Sequence, residues 1–110
     1  MKRPHQPARL IRLIDLISTD AAQATIYPLE MAICTIGRSP LCQLRIVDPI
    51  VSRLPARVER KGTTYLLADI GSANGTYLNG RRLDEPHRLL DGDVIGLGSA
   101  VPILRFEAEL

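Results

Sequence analysis

The chain has 110 residues, 45% of them hydrophobic and 24% charged, so it is long enough to bury one core unaided and too apolar to remain disordered. Fourteen Lys and Arg against twelve Asp and Glu leave a net charge of +2, too small a bias to point to DNA, RNA or an anionic membrane surface. Three Tyr, one Phe and no Trp leave few of the stacking platforms a single-strand nucleic-acid binder uses, and no apolar run approaches the roughly 20 residues of a membrane span.

Residues 1–8, with two prolines and no apolar pattern, read as a flexible tail, and residues 9–110 as a single domain. MKRPHQP is followed by charged, interrupted sequence and not by a signal-peptide core, which gives a cytoplasmic expectation. In ARLIRLIDLIS the polar residues Arg9, Arg12 and Asp15 fall every third place, a helical period. Ile11, Ile14 and Ile17 are β-branched, however, and so short a helix is marginal alone. Pattern by itself leaves this segment between helix and strand.

Further on, turn signals recur at short intervals: Gly37 to Pro40, Asp48-Pro49, Lys61-Gly62, Gly71 to Gly75, Asn79-Gly80, Glu85-Pro86, Asp91-Gly92 and Gly98-Ser99. The short runs between them, many rich in β-branched residues, have the rhythm of an antiparallel sandwich or barrel. Residues 56–60 alternate and 64–70 are apolar-rich, so Lys61-Gly62-Thr63 predicts a hairpin, with 93–97 and 102–108 as closing strands. Pro55 stands where the first of these strands must begin, and it cannot donate a ladder hydrogen bond. Cys34 and Cys42 have neither a second pair nor a His cluster, so they read as reduced, buried thiols and not as a metal or redox site.

Four pieces could carry chemistry: TIGRSP (35–40), VSR (51–53), GSANGTYLNG (71–80) and LLDGDVIGLG (89–98). Each alone has a plain explanation as a turn or a cap. Taken as chemistry, an arginine, a serine hydroxyl and exposed turn amides are what a phosphate monoester needs: a guanidinium for two oxygens, a neutral donor and fixed dipoles. Spacing does not show that Arg38, Ser52 and Asn74 converge. A nucleophilic Ser52 would need a base, and His5 and His87 have no motif tying them to it, so no enzyme is indicated.

The ordered set of IGRSP, VSR, GSANGTYLNG and LLDGDVIGLG resembles the forkhead-associated (FHA) domain, from about Arg9 to Ala108. The resemblance implies an all-β fold, a two-sheet antiparallel sandwich of about eleven strands, with ARLIRLIDLI as the first. It also implies a module that reads phosphothreonine in a partner protein or peptide phosphorylated by a Ser/Thr kinase. On that reading Arg38 binds the phosphate, Ser52 donates its hydroxyl to it, Arg53 touches peptide or phosphate, and Asn74 bonds peptide backbone. Gly37, Gly75, Thr76, Asn79 and Gly80 shape the loops. No cofactor, metal, nucleic acid, membrane or small-molecule substrate is implied.

Two positions depart from the family pattern. Pro55 replaces a histidine that braces the binding loops, and Ala73 replaces a Ser or Thr whose hydroxyl contributes to phosphate binding. Losing one hydrogen bond to a charged group weakens binding by roughly ten- to a hundredfold. The alternative to a weakened phosphothreonine reader is a degenerate domain that kept the fold as a phosphate-independent interaction or assembly scaffold.

Overall fold

The computed structural model describes residues 8–13, 26–53 and 55–108. They form eleven strands: β1 (Arg9–Arg12), β2 (Ile26–Pro28), β3 (Ile33–Gly37), β4 (Leu44–Arg45), β5 (Ala56–Lys61), β6 (Thr64–Asp69), β7 (Thr76–Leu78), β8 (Arg81–Arg82), β9 (His87–Arg88), β10 (Val94–Leu97) and β11 (Leu104–Glu107). One sheet runs β2-β1-β11-β10-β7-β8 and the other β4-β3-β5-β6-β9. Every pairing is antiparallel except β3 with β4, which is parallel, Ile36 opposite Leu44. Among the described residues there is no helix, and so none long and apolar enough to cross a membrane.

Period-two alternation drives the packing. Ala56 and Val58 of β5 and Tyr65 and Leu67 of β6 face inward from one sheet, and Leu10, Ile95, Leu97, Leu104 and Phe106 from the other. With aromatics scarce, Tyr65 and Phe106 form a ring contact between the sheets, centroids 5.4 Å apart and tilted by 55°. The hairpin expected at Lys61-Gly62-Thr63 forms, but Lys61 itself pairs with Thr64, which leaves Gly62 and Thr63 as the turn. The 93–97 and 102–108 segments appear as β10 and β11.

The ambiguous opening segment is a strand at Arg9–Arg12, its helical period overridden by tertiary pairing. β1 lies between β11 and β2, so its backbone groups have partners on both edges. Only Leu10 points fully into the core. The continuation at Ile14 to Ile17 and the expected tail lie outside the described residues, apart from Ala8, which is buried. Cys34 and Cys42 are free and buried. Burial, with Cys42 adding to it, pushes the Cys34 thiol up to about 11. Burial likewise raises Cys42, a hydrogen bond with Ser39 partly offsetting it. Both thiols stay protonated at neutral pH and are poor nucleophiles.

Candidate functional site

Three loops meet at one end of the sandwich: the β3–β5 connection around the short β4, the β6–β7 loop and the β10–β11 loop. The first is fixed by backbone hydrogen bonds that tie the residues just after β3 to the segment just before β5. The Arg38 amide donates to the Ser52 carbonyl and the Ser39 amide to that of Arg53, both at 3.0 Å. The Cys42 thiol donates to the same Arg53 carbonyl at 3.3 Å. Arg45 Nε donates to the Arg38 carbonyl at 3.0 Å, which pins the backbone that carries the Arg38 side chain. Gly37 makes this crossing possible. A Cβ there would lie 2.2 Å from the Arg53 carbonyl oxygen and 2.4 Å from Pro55 Cδ, closer than real Cβ atoms come.

The second loop docks on the first. The Ala73 amide donates to Ser52 Oγ at 3.3 Å and Asn74 Nδ2 to the Ile50 carbonyl at 3.4 Å. The Gly98 amide of the third loop donates to the Gly75 carbonyl at 2.9 Å. The structure thus brings together Arg38, Ser52 and Asn74, the convergence that spacing alone left open. Arg38, Arg53, Ala73 and Asn74 are exposed, and Ser52 is half-buried. The Ser52 hydroxyl accepts the Ala73 amide and so keeps its own proton to donate.

Pro55 is buried and immediately precedes β5. Its carbonyl accepts the Ile70 amide at 3.1 Å, and the return bond on that rung is the one a proline cannot make. On the side facing β3 nothing is lost, since the Gly37 carbonyl is taken by the Ile46 amide at 2.8 Å. Pro55 therefore costs the sheet one hydrogen bond at the end of a ladder.

Its carbonyl also lies 3.0 Å from Thr76 Oγ1, which is 2.7 Å from the Asp69 carboxylate. With one proton, the hydroxyl donates to one of these acceptors at a time. Asp69 also accepts from Ser72 Oγ, which in turn accepts the Gly75 amide at 3.0 Å. Burial alone would raise the Asp69 pKa. The Ser72 and Thr76 hydroxyls, with the Ser72 and Gly71 amides, outweigh it and hold the carboxyl below its ordinary value of 3.8. This network shapes the loop that presents Asn74, and sequence reading missed Asp69 and Ser72 as its hub. The available signal was an Asp followed three residues later by a Ser, just ahead of Asn-Gly, a spacing that suits local side-chain turns.

Thr76 is completely buried and belongs to that scaffold. Asn79 and Gly80 lie at the other end of β7, away from the loops. Their φ angles of 51° and 84° make the tight turn into β8. Asn79 Nδ2 donates to Asp93 at 3.0 Å, and its Oδ1 accepts the Val94 amide at 3.0 Å, which ties this hairpin to β10.

Comparison with known proteins agrees with this architecture. The FHA domain family matches residues 34–98, more than half the chain. The chain is 41% identical over 69 residues to the mouse proliferation marker protein Ki-67, covering 63% of this chain and 2% of that protein. It is 37% identical over 89 residues to the FHA domain-containing protein FhaA of Mycobacterium tuberculosis, covering 81% of this chain and 17% of FhaA. The chain thus spans a small part of the length of these curated relatives. A solved structure from work on phosphothreonine-dependent FHA domain interactions superposes with a TM-score of 0.76 at 30% identity, covering 94% of this chain and 98% of that one. With the family's pattern in the loops and the same sandwich over nearly the whole length, the chain belongs to the FHA domain family.

Proposed function

We propose that this domain binds phosphothreonine-containing peptides in partner proteins, downstream of a Ser/Thr kinase and in the cytoplasm. The observation that carries the proposal is the convergence of Arg38, Ser52 and Asn74 on one surface, held by the Ser52–Ala73 and Asn74–Ile50 hydrogen bonds. Arg38 supplies a bidentate cation for a group carrying nearly two negative charges, Ser52 a free hydroxyl proton, and Asn74 a side chain for peptide backbone. The exposed Arg53 lies alongside. Phosphothreonine-dependent interaction in a structurally similar FHA domain supports the same ligand here. The two free, buried cysteines fit a reducing compartment.

Binding, and not catalysis, is the chemistry these residues favour. Among the described residues Ser52 Oγ contacts a backbone amide and no base, and His87 lies in β9 with Nδ1 2.8 Å from the Arg88 carbonyl oxygen. The site is weaker than a full family site because Ala73 presents a methyl where a hydroxyl would add a donor. That same methyl, together with Pro55, favours the second reading, a scaffold that binds partners without phosphate.

A degenerate phosphothreonine peptide library tested against its unphosphorylated twin separates the two. We expect retention of the phosphorylated library only, lost in Arg38→Ala and reduced when phosphoserine replaces phosphothreonine. Equal retention of both libraries, unchanged by Arg38→Ala, would overturn the phosphate-dependent reading in favour of the scaffold.

A further inference from the structure

Besides Arg38 and Arg53, another cation stands at the same loops. Arg82 of β8 pairs with Tyr77 of β7 and lies across Gly75, whose missing side chain leaves the space. A Cβ built on Gly75 would lie 2.7 Å from Arg82 Nε and 3.1 Å from its Cζ. The guanidinium therefore lies against Gly75, the residue that follows Asn74 in the β6–β7 loop. Arg82 is exposed.

Among the described residues it has no ion-pair partner. The pairs present there are Arg9–Glu107, Arg57–Glu59 and Arg105–Glu107, all on strands. Asp69, the carboxylate of the loop itself, is occupied by the Ser72 and Thr76 hydroxyls. Asp84 and Glu85 follow Arg82 in the chain but form no ion pair with it. Arg38 and Arg53 are likewise exposed and without an ion-pair partner among the described residues. Three guanidiniums, those of Arg38, Arg53 and Arg82, thus stand at these loops with no carboxylate in an ion pair with any of them among the described residues, while Asp69 keeps its charge within its own hydroxyl network.

We propose that Arg82 is a further anion-binding residue of this site, and that the preferred partner segment carries an additional anionic side chain close to its phosphothreonine, a carboxylate or a second phosphate. The inference rests on the phosphothreonine-binding reading. It adds a residue that the family motifs do not include and a chemical class of partner sequence. The competing role for Arg82 is simple cover, its aliphatic stem shielding the Gly75 backbone from water. Arg82→Met keeps such a stem and removes the charge, so it distinguishes the two roles.

The test is fluorescence anisotropy on the full chain with one phosphothreonine peptide in three forms: neutral flanks, Glu scanned through the neighbouring positions, and phosphoserine at those same positions. The best Glu form should bind about two- to fivefold tighter than the neutral form, and Arg82→Met should abolish that advantage while leaving the neutral form within about twofold. A still larger gain from phosphoserine would identify a second phosphate as the preferred anion, and equal gains would identify charge alone. An acidic advantage that survives Arg82→Met, or none in the wild type, overturns the inference while Arg38-dependent binding of the neutral phosphopeptide leaves the phosphothreonine reading standing. If no phosphopeptide binds better than its unphosphorylated form, both fall together.

Discussion

Ser52 Oγ receives the Ala73 amide and contributes to the site the hydrogen atom it does not use there. Ser52→Ala removes that donor and also leaves the Ala73 amide without its acceptor, at a position exposed enough for water to replace it. Affinity for a phosphothreonine peptide should fall by roughly ten- to a hundredfold, the worth of one hydrogen bond to a charged group, with little change in melting temperature. Calorimetric titration beside a thermal melt checks both halves. An unchanged affinity would mean the hydroxyl does not face the phosphate. The complementary change is Ala73→Thr, which places a hydroxyl one residue before Asn74. It should tighten the same peptide, by up to about tenfold if the new donor is fully used. Weaker binding would show that the loop has adapted to the methyl.

At the level of strands and loops, the network from Asp69 through Ser72 and Thr76 to the Pro55 carbonyl ties the end of β6 and the start of β7 to the entry of β5. The carbonyl that meets Thr76 belongs to the backbone, so this link is independent of the side chain at position 55. Asp69→Asn should lower unfolding stability by about 1–3 kcal/mol at neutral pH, because two hydroxyls lose a charged acceptor. The Asp69 carboxyl is held below 3.8 in the folded chain, so its contribution is present above that value and disappears as pH falls through the lower folded pKa. Wild type and Asp69→Asn should therefore differ at pH 7 and converge in strong acid, as followed by urea midpoints across pH. A constant gap would assign the effect to packing instead. The strands flanking this network were legible: residues 56–60 alternate and 64–70 form an apolar run, and both patterns are local. The Asp69 hub and the position of Arg82 were not, because each depends on segments meeting that lie far apart in the chain or on opposite sides of a turn. β1 was misleading for a related reason, since its helical period is real but its sheet partners, Leu104 to Glu107, lie at the other end of the sequence. The loop motifs were legible only as an ordered set, and Pro55 looked more harmful in sequence than in a ladder whose other edge did not need its N–H.

Taken whole, the sandwich depends on a core of aliphatic side chains and the Tyr65–Phe106 contact across it. Phe106→Ala should cost about 3–5 kcal/mol of unfolding free energy, since the cavity opens between two sheets that cannot both collapse into it. Chemical denaturation checks this, and a cost below that of an ordinary core Leu→Ala change would show that the sheets can close the gap. The register of β1 with β11 has a different consequence. Arg12 opposite Leu104 is the rung nearest the β10–β11 loop that touches the site, and Arg9 opposite Glu107, stapled by an ion pair, is the rung farthest from it. The Arg9 end of β1 and the Glu107 end of β11 thus lie side by side at the pole remote from the candidate-site loops, separated from them by about 10 Å of strand. A label attached at that pole would stand clear of the loops that carry Arg38, Ser52 and Asn74.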